Sequence, residues 1–292
     1  MFRTGICNFT FPNPVQMKLK IKPVITQKLT ESVQYYIFCS SEQTENISYK
    51  TFPNINLCLS LYKSNKITYN QNINFCRIHD SNSSFTSKLW GFHERVFNVT
   101  VEGATDQVCI LFHPGGIRNF TDIPYDFLIN TDNVFGMIFG SKGLSFLGQL
   151  FDINETGKRV YLLEQFLLKN HKDFISKTAV TRSIQRIVQT GGNVKIETLA
   201  KETGINNSTL YNNFIRFIGQ GPKDFIKTVR FRSALSSLAE QKLLSLTEIS
   251  YAANYYDQSH FIKEFLQLTS YTPKEIRKKV VIEQDKLIWV NS

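Results

Sequence analysis

The sequence predicts an α+β chain. A β-rich N-terminal domain of barrel or sandwich type, cupin-like and carrying a few helices, precedes an all-α C-terminal domain with two helix-turn-helix units. Three observations predict this. Short runs of β-branched and aromatic residues, broken by Asn, Ser, Gly and Asp, fill residues 1 to about 112. Beyond them the apolar spacing turns helical. One helix–turn–helix pattern then occurs twice, at 196–219 and 246–270.

The bulk properties agree. A chain of 292 residues holds two domains of ordinary size, and 42% apolar with 20% charged residues describes a globular protein rather than a charged disordered one. The net charge is +10, of which residues 176–292 hold +7, from 17 basic and 10 acidic residues. That excess lies where the repeated pattern lies and favours a polyanion partner. No run of 18 apolar residues is apparent, so no membrane span is expected. The first twenty residues lack a continuous apolar segment, so no secretory signal is expected. Five cysteines, odd in number and without a CxxC pair, are expected as free thiols in a reducing cytoplasm.

The strands are expected in SVQYYIFCS, INLCLSLY, FTSKLWGF, ERVFNVTVEG and DQVCILFHP, with KSNKITYNQN and HDSNSS among the turn-forming separators. Phe112 to Pro124 reads as a turn-rich crossover. Asp122 to Asn130 reads as a short amphipathic helix. Lys158 to His171 reads as a longer one, with Val160, Leu163, Phe166 and Leu167 on one face. The polar stretch 170–178 reads as a linker. The division is therefore 1–175, a regulatory, sensor or dimerisation domain; 176–282, the helical domain; and 283–292, a tail.

From Ala179 the pattern is helical throughout. A first helix stops at Gly191-Gly192, which suit a left-handed cap. In the first repeated unit Leu199 and Ala200 face the partner helix, Gly204 makes the turn and Asn206 caps the second helix. Leu210, Phe214 and Phe217, at i, i+4 and i+7, bury its inner face. Pro222 opens a long helix to about Gln241, where its missing N–H costs nothing. Ser245 and Glu248 form a capping box for the second unit. There Ile249, Ala252 and Ala253 pack, Asp257 caps, and Phe261, Phe265 and Leu268 repeat the spacing at an offset of 51 residues. Pro273 starts a last short helix.

This pattern leaves Asn207, Ser208, Tyr211, Asn212 and Arg216 outward on one second helix, and Gln258, Ser259, His260 and Lys263 on the other. Paired donors and acceptors at the start of such a helix are what base edges in a major groove require. The 19-residue helix between the units spans about 28 Å, close to the ~34 Å between successive major-groove faces. Lys223, Lys227, Arg230 and Arg232 on that helix, Arg216 before it, and Lys274, Arg277, Lys278 and Lys279 at the end are candidate phosphate contacts. A single helix pair of this kind also occurs in bundles that bind nothing. Two in tandem on a basic background are much more specific.

At these residues the chain resembles the AraC/XylS family of bacterial transcription regulators. Ala252-Ala253-Asn254-Tyr255-Tyr256-Asp257-Gln258-Ser259-His260-Phe261 is similar to that family's A-x-x-x-G-F-x-D-Q-S-H-F, and Tyr271-Thr272-Pro273-Lys274-Glu275-Ile276-Arg277 to its G-x-T-P-x-x-[FY]-R. Asn254 and Ser270 stand where the family has glycine, Tyr255 where it has Phe, and Lys263 where Arg is common. Residues 181–279 look like the family's whole seven-helix domain. Less specifically, Phe112 to Gly116 with Ile123-Pro124 is similar to the F-x-P-G-G…hP segment of an uncharacterised class of attached β-rich domain. The resemblance implies a sequence-specific regulator, with activation as the family's tendency. It places Asn207, Ser208, Tyr211, Asn212, Gln258, Ser259, His260 and Lys263 on DNA bases. Its partners would be double-stranded DNA and RNA polymerase, with a small-molecule effector and a homodimer as further ones. No membrane, cofactor, metal or catalytic residue is expected, and the location implied is the bacterial cytoplasm, on the nucleoid when bound.

Two other classes compete. A cupin-like metalloenzyme would draw on His79, His93, His113 and Glu94, but no HxH pair exists. A non-specific architectural binder would use the same basic face without base readout.

Overall fold

The computed structural model describes residues 17–42, 46–70, 74–172, 179–240, 244–279, 281–283 and 287–291. The N-terminal segment read for a secretory signal, Cys7, most of the linker and Gln241 lie outside these. The N-terminal strands are β1 (Lys18–Pro23), β2 (Val33–Ser41), β3 (Ile47–Thr51), β4 (Leu57–Asn70), β5 (Phe75–Trp90), β6 (Phe97–Glu102) and β7 (Thr105–Phe112). Three helices follow: α1 (Tyr125–Ile129), α2 (Val134–Phe151) and α3 (Thr156–Asn170). Then come α4 (Ala179–Gln189), α5 (Ile196–Thr203), α6 (Asn207–Ile218), α7 (Pro222–Glu240), α8 (Leu246–Ala252), α9 (Gln258–Thr269) and α10 (Pro273–Lys279). A hairpin of β8 (Val281–Glu283) and β9 (Leu287–Asn291) ends the described chain.

Among the described residues nine strands join one sheet, in the order β1-β2-β7-β4-β5-β6-β3-β9-β8, and β5 and β6 pair in parallel. It curls into a half-barrel, and both faces are covered. Tyr36 and Phe38 of β2, Leu57, Leu59 and Leu61 of β4, and Val108, Ile110 and Phe112 of β7 pack with α2 and α3. Their neighbours Tyr35, Ile37, Cys39, Tyr62, Cys109 and Leu111 line the inside of the curl. Burial on both sides explains why these strands read as continuous apolar runs rather than alternating ones.

The expected separators KSNKITYNQN and HDSNSS fall largely inside β4 and β5. The chain absorbs them as a bulge, with the register shifting between Lys63 and Asn65 and Ser64 at φ 57°. Asn65 is buried there but satisfied: its Nδ2 donates to the Ala104 carbonyl at 2.9 Å, and its Oδ1 accepts from the Thr105 hydroxyl at 3.2 Å.

Helix α2 bears on the membrane expectation although it holds no unbroken run of 18 apolar residues. Its 18 residues meet the length and hydropathy of a span by composition alone. Here it is a core helix, kinked at Gly140 (φ 62°, ψ −152°), with Phe135, Phe146, Leu147 and Leu150 buried and Phe146 stacked on Phe166 of α3 at 4.0 Å. Helix α3 is tied to the sheet by a two-pronged pair, Arg159 Nη1 and Nη2 donating to the two Asp106 oxygens at 2.6 Å each. Its buried Glu164 accepts from the Ile25 and Thr26 N–H groups and the Thr26 hydroxyl.

The described residues of the C-terminal domain form seven helices, α4 to α10, around two small cores that share α7. Phe225, Ile226 and Val229 of α7 enter the first core with Leu199, Leu210 and Phe214. Phe231, Ala234, Leu235 and Leu238 enter the second with Ile249, Phe261, Phe265 and Leu268. Two packing expectations are corrected. Ala252 is exposed while Ala253 is buried, and Ile218 rather than Phe217 closes the inner face of α6.

Asn254 and Ser270 take left-handed conformations, φ 60° and 61°, and Ser270 is exposed at the C-cap of α9. A Cβ there is strained. Ser270→Gly is therefore expected to stabilise the domain by about 0.5–1 kcal/mol, read as a raised denaturation midpoint with an unchanged m-value; a lowered midpoint would contradict it.

Of the residues expected as a tail, 283–292, Glu283 and Leu287–Asn291 instead lie in the hairpin strands. β9 pairs antiparallel with β3, Thr51 opposite Trp289 and Tyr49 opposite Asn291. The two domains also share packing. Phe52 belongs to the second helical core, and Ile55 and Phe92 pack against the first.

Candidate nucleic-acid interface

The two repeated units are built alike. The α6 cap is Asn206, whose Oδ1 accepts from the Thr209 N–H at 2.8 Å, and the α9 cap is Asp257, accepting from the His260 N–H at 2.7 Å. Helix α8 begins with the expected capping box of Ser245 and Glu248. The hydrogen bonds from Ser245 hold the Glu248 carboxyl below its ordinary pKa. Gly204 ends α5 at φ 72°, which turns the chain into α6.

On α6, Asn207, Ser208, Tyr211, Asn212 and Arg216 are all exposed. The first four border one shallow depression with Ile196, Glu197 and Pro222. On α9, Ser259, His260 and Lys263 are exposed and Gln258 is half-buried. The Thr247 hydroxyl donates to Gln258 Oε1 at 2.7 Å, which orients the amide and leaves its N–H donors outward. His260 is not free of the fold: its Nε2 lies 3.8 Å from the buried Glu264, and its ring packs edge-on to Tyr255 at 5.7 Å.

The basic residues divide. Lys223, Lys274, Lys278 and Arg216 are exposed, as a phosphate contact needs. Lys227 is half-buried, its Nζ 3.4 Å from Gln267 Oε1. Arg277 donates to the Leu244 carbonyl at 2.8 Å, bracing the start of the second unit. Arg230 lies over the Tyr255 ring and 3.8 Å from Glu264. Arg232 faces the N-terminal sheet beside Tyr35, and burial lowers its pKa to about 10. These last three are committed to the fold, so their expected role on phosphates is set aside.

Sequence reasoning missed three side chains. Thr247 orients Gln258. Tyr256, 88% exposed, precedes the α9 cap. Arg118 of the N-terminal domain grips the end of α6, its Nε and Nη2 donating to the Phe217 and Arg216 carbonyls at 3.1 Å each. Only Tyr256 left a local signal, as an aromatic residue outside the apolar spacing. The others depend on contacts distant in sequence.

Among the described residues no three His, Cys, Asp or Glu side chains are grouped to hold a metal ion. His93 stacks on Phe97 at 4.4 Å, and burial pushes its pKa down to about 4. His79 meets Thr68 at 3.3 Å, and His113 is lowered by burial.

Comparison with known proteins agrees with this geometry. A family described as "Helix-turn-helix domain" matches residues 199–279, and a "Domain of unknown function (DUF6597)" matches residues 22–133. The Msm operon regulatory protein of Streptococcus mutans serotype c is 27% identical over 146 residues, 49% of this chain and 52% of that protein. The chain thus spans about half the length of the curated relative it matches. Among solved structures, the xylose-binding transcription activator XylR is 24% identical over 41% of this chain and 37% of its own, with a TM-score of 0.32. ToxT from Vibrio cholerae is 12% identical over 85% and 98%, with a TM-score of 0.43. The family match covers α6 to α10 with both capped helices, and in this region the chain carries a helix-turn-helix domain of AraC type.

Proposed function

We propose that the chain is a sequence-specific DNA-binding transcription regulator that lays α6 and α9 in successive major grooves on one side of the duplex. One observation carries this reading: two capped helices of equal length, each with its inner face in a core and its polar face exposed, pack on a shared 19-residue helix, α6 through Phe214 on Phe225 and α9 through Phe265 on Phe231. That helix is about 28 Å long, near the ~34 Å groove repeat. Asn207, Ser208, Tyr211 and Asn212 read one half-site and Gln258, Ser259, His260 and Lys263 the other. Arg216, Lys223, Lys274 and Lys278 hold phosphates, and the N-terminal half-barrel senses a small molecule or joins two copies. Activation through RNA polymerase in a bacterial cytoplasm rests on the family resemblance.

Genome-wide mapping of bound sites with footprinting tests the reading. Two protected patches about one helical turn apart are expected, and uniform protection of all DNA would replace it with an architectural binder. Gln258→Ala is expected to weaken operator binding by about 1–2 kcal/mol and to relax preference in one half-site only, because Thr247 already occupies one end of the amide. An equal loss on random DNA would remove Gln258 from the base readers.

A further inference from the structure

The inside of the half-barrel holds a cavity of about 170 Å³. That is close to the ~150 Å³ of a dry apolar cavity that accepts one benzene, so it admits a single ring. None of its lining side chains is an Asp, Glu, Lys or Arg, so a charged guest would be left unpaired. Its walls include the aromatic rings of Tyr49, Trp90 and Phe97. Size and lining therefore select a small, neutral, planar molecule.

The same wall carries thiols. Cys39, Cys58, Cys76 and Cys109 all line the cavity, all are free, and Cys58 is the least buried of them. Cys58 and Cys109 lie on neighbouring strands and share Ser60, whose Oγ is 3.4 Å from one sulfur and 3.3 Å from the other. Gln107 Nε2 donates to Cys109 Sγ at 3.0 Å, and Trp90 Nε1 donates to Ser60 Oγ at 3.1 Å. Cys58 thus faces an apolar, ring-sized space with a hydrogen-bonded network behind its sulfur.

We propose that Cys58 is a covalent modification site for a small neutral quinone entering this cavity. The Cys58 sulfur adds to a ring carbon, forming a C–S bond. The ring π electrons move to a carbonyl oxygen, which takes the thiol proton, and the hydrogen on the attacked carbon passes as a proton to the second oxygen. The products are one thioether-linked hydroquinone and no leaving group. The sulfur lone pair supplies the two electrons that reduce the quinone, so no further reductant or oxidant is needed. The other thiols are poorer nucleophiles. Burial pushes Cys39 and Cys76 up to about 12 and Cys109 is raised too, whereas the hydrogen bond from Cys109 lowers Cys58. Cys58 also lies near Tyr35, which faces Arg232 of α7, so an adduct forms next to the contact between the domains. The chemistry deepens the sensor reading of the N-terminal domain, and it stands or falls apart from DNA binding.

The test treats the whole 292-residue Cys7→Ser chain, folded, with substoichiometric 1,4-benzoquinone and maps adducts by peptide mass spectrometry. Labelling at Cys58 is expected to exceed that at each of Cys39, Cys76 and Cys109 by about tenfold or more. Toluene, a neutral ring without a carbonyl, is expected to slow it by occupying the cavity, and Cys109→Ser to slow it without moving it. Comparable labelling of the four thiols, or a Cys58 rate indifferent to toluene, would overturn the proposal. Because the readout is the adduct itself, a chain that fails to bind operator DNA still tests the site.

Discussion

Arg118→Ala is expected to cost about 3 kcal/mol and to split one cooperative unfolding transition into two. Arg118 is buried in the N-terminal domain, yet it makes two of its three hydrogen bonds across the domain boundary. Its guanidinium donates to the Arg216 and Phe217 carbonyls at the end of α6 and, from Nη1, to the Ile123 carbonyl. The last carbonyls of a helix have no partner within it and carry the negative end of the helix dipole. A buried cation satisfies both needs at once. Truncation leaves three carbonyls short of a donor, at about 1–3 kcal/mol for a buried group stripped of its partner. The surroundings cannot close over the loss, because Tyr125 already lies against Gly219, where a Cβ would come within 2.2 Å of its ring, and Phe217 against Gly115. Lysine has one point of charge instead of a planar fork, so Arg118→Lys should recover little. Denaturant unfolding followed separately by near-ultraviolet and far-ultraviolet signals checks this, and coincident transitions at the original midpoint would refute the clamp.

What the sequence made legible was local. The spacing of Leu210 and Phe214 and of Phe261, Phe265 and Leu268, together with the Asn206, Asp257 and Ser245–Glu248 caps, each needs only neighbours a few residues away, and these features stand as read. The strands show the opposite case. β3 is held between β6 and β9, and β9 comes from the far end of the chain, so no local run of ISYKT reveals it. Asn65 inside β4 has a turn propensity that the bulge overrides by satisfying its polar groups. Four glycines in α2 dilute its helical signal, although burial on the sheet sustains the helix. For the site, the outward polar positions of α6 and α9 followed from helical periodicity, while the fate of each arginine did not. Arg230, Arg232 and Arg277 sit on helices whose exposed faces are basic, but each is drawn inward by a partner distant in sequence: Glu264, Tyr35 and the Leu244 carbonyl.

Arg230 shows how that difference is measured. As a phosphate contact, its loss would weaken specific and random DNA alike, reduce the salt slope by about one and leave stability untouched. The structure gives it another duty. Glu264 on α9 is 9% exposed, with Arg230, 24% exposed, and His260 each 3.8 Å from the same carboxylate oxygen, Oε2. Arg230 also covers the Tyr255 ring at 5.5 Å. Removing a partner from a carboxylate this buried costs more than the pair itself contributed, because the remaining charge stays desolvated. Arg230→Ala is therefore expected to destabilise the second unit by about 2–3 kcal/mol and to loosen α9, so that operator binding falls while the salt slope of the bound fraction holds. Adding Glu264→Gln removes the stranded charge, and the double variant should recover most of the lost stability. Thermal unfolding of the two variants beside a salt titration of DNA binding separates the two roles. A stable Arg230→Ala chain with a shallower salt slope would return Arg230 to the phosphate contacts, whereas rescue by Glu264→Gln identifies it as the counter-ion that lets α9 present its polar face.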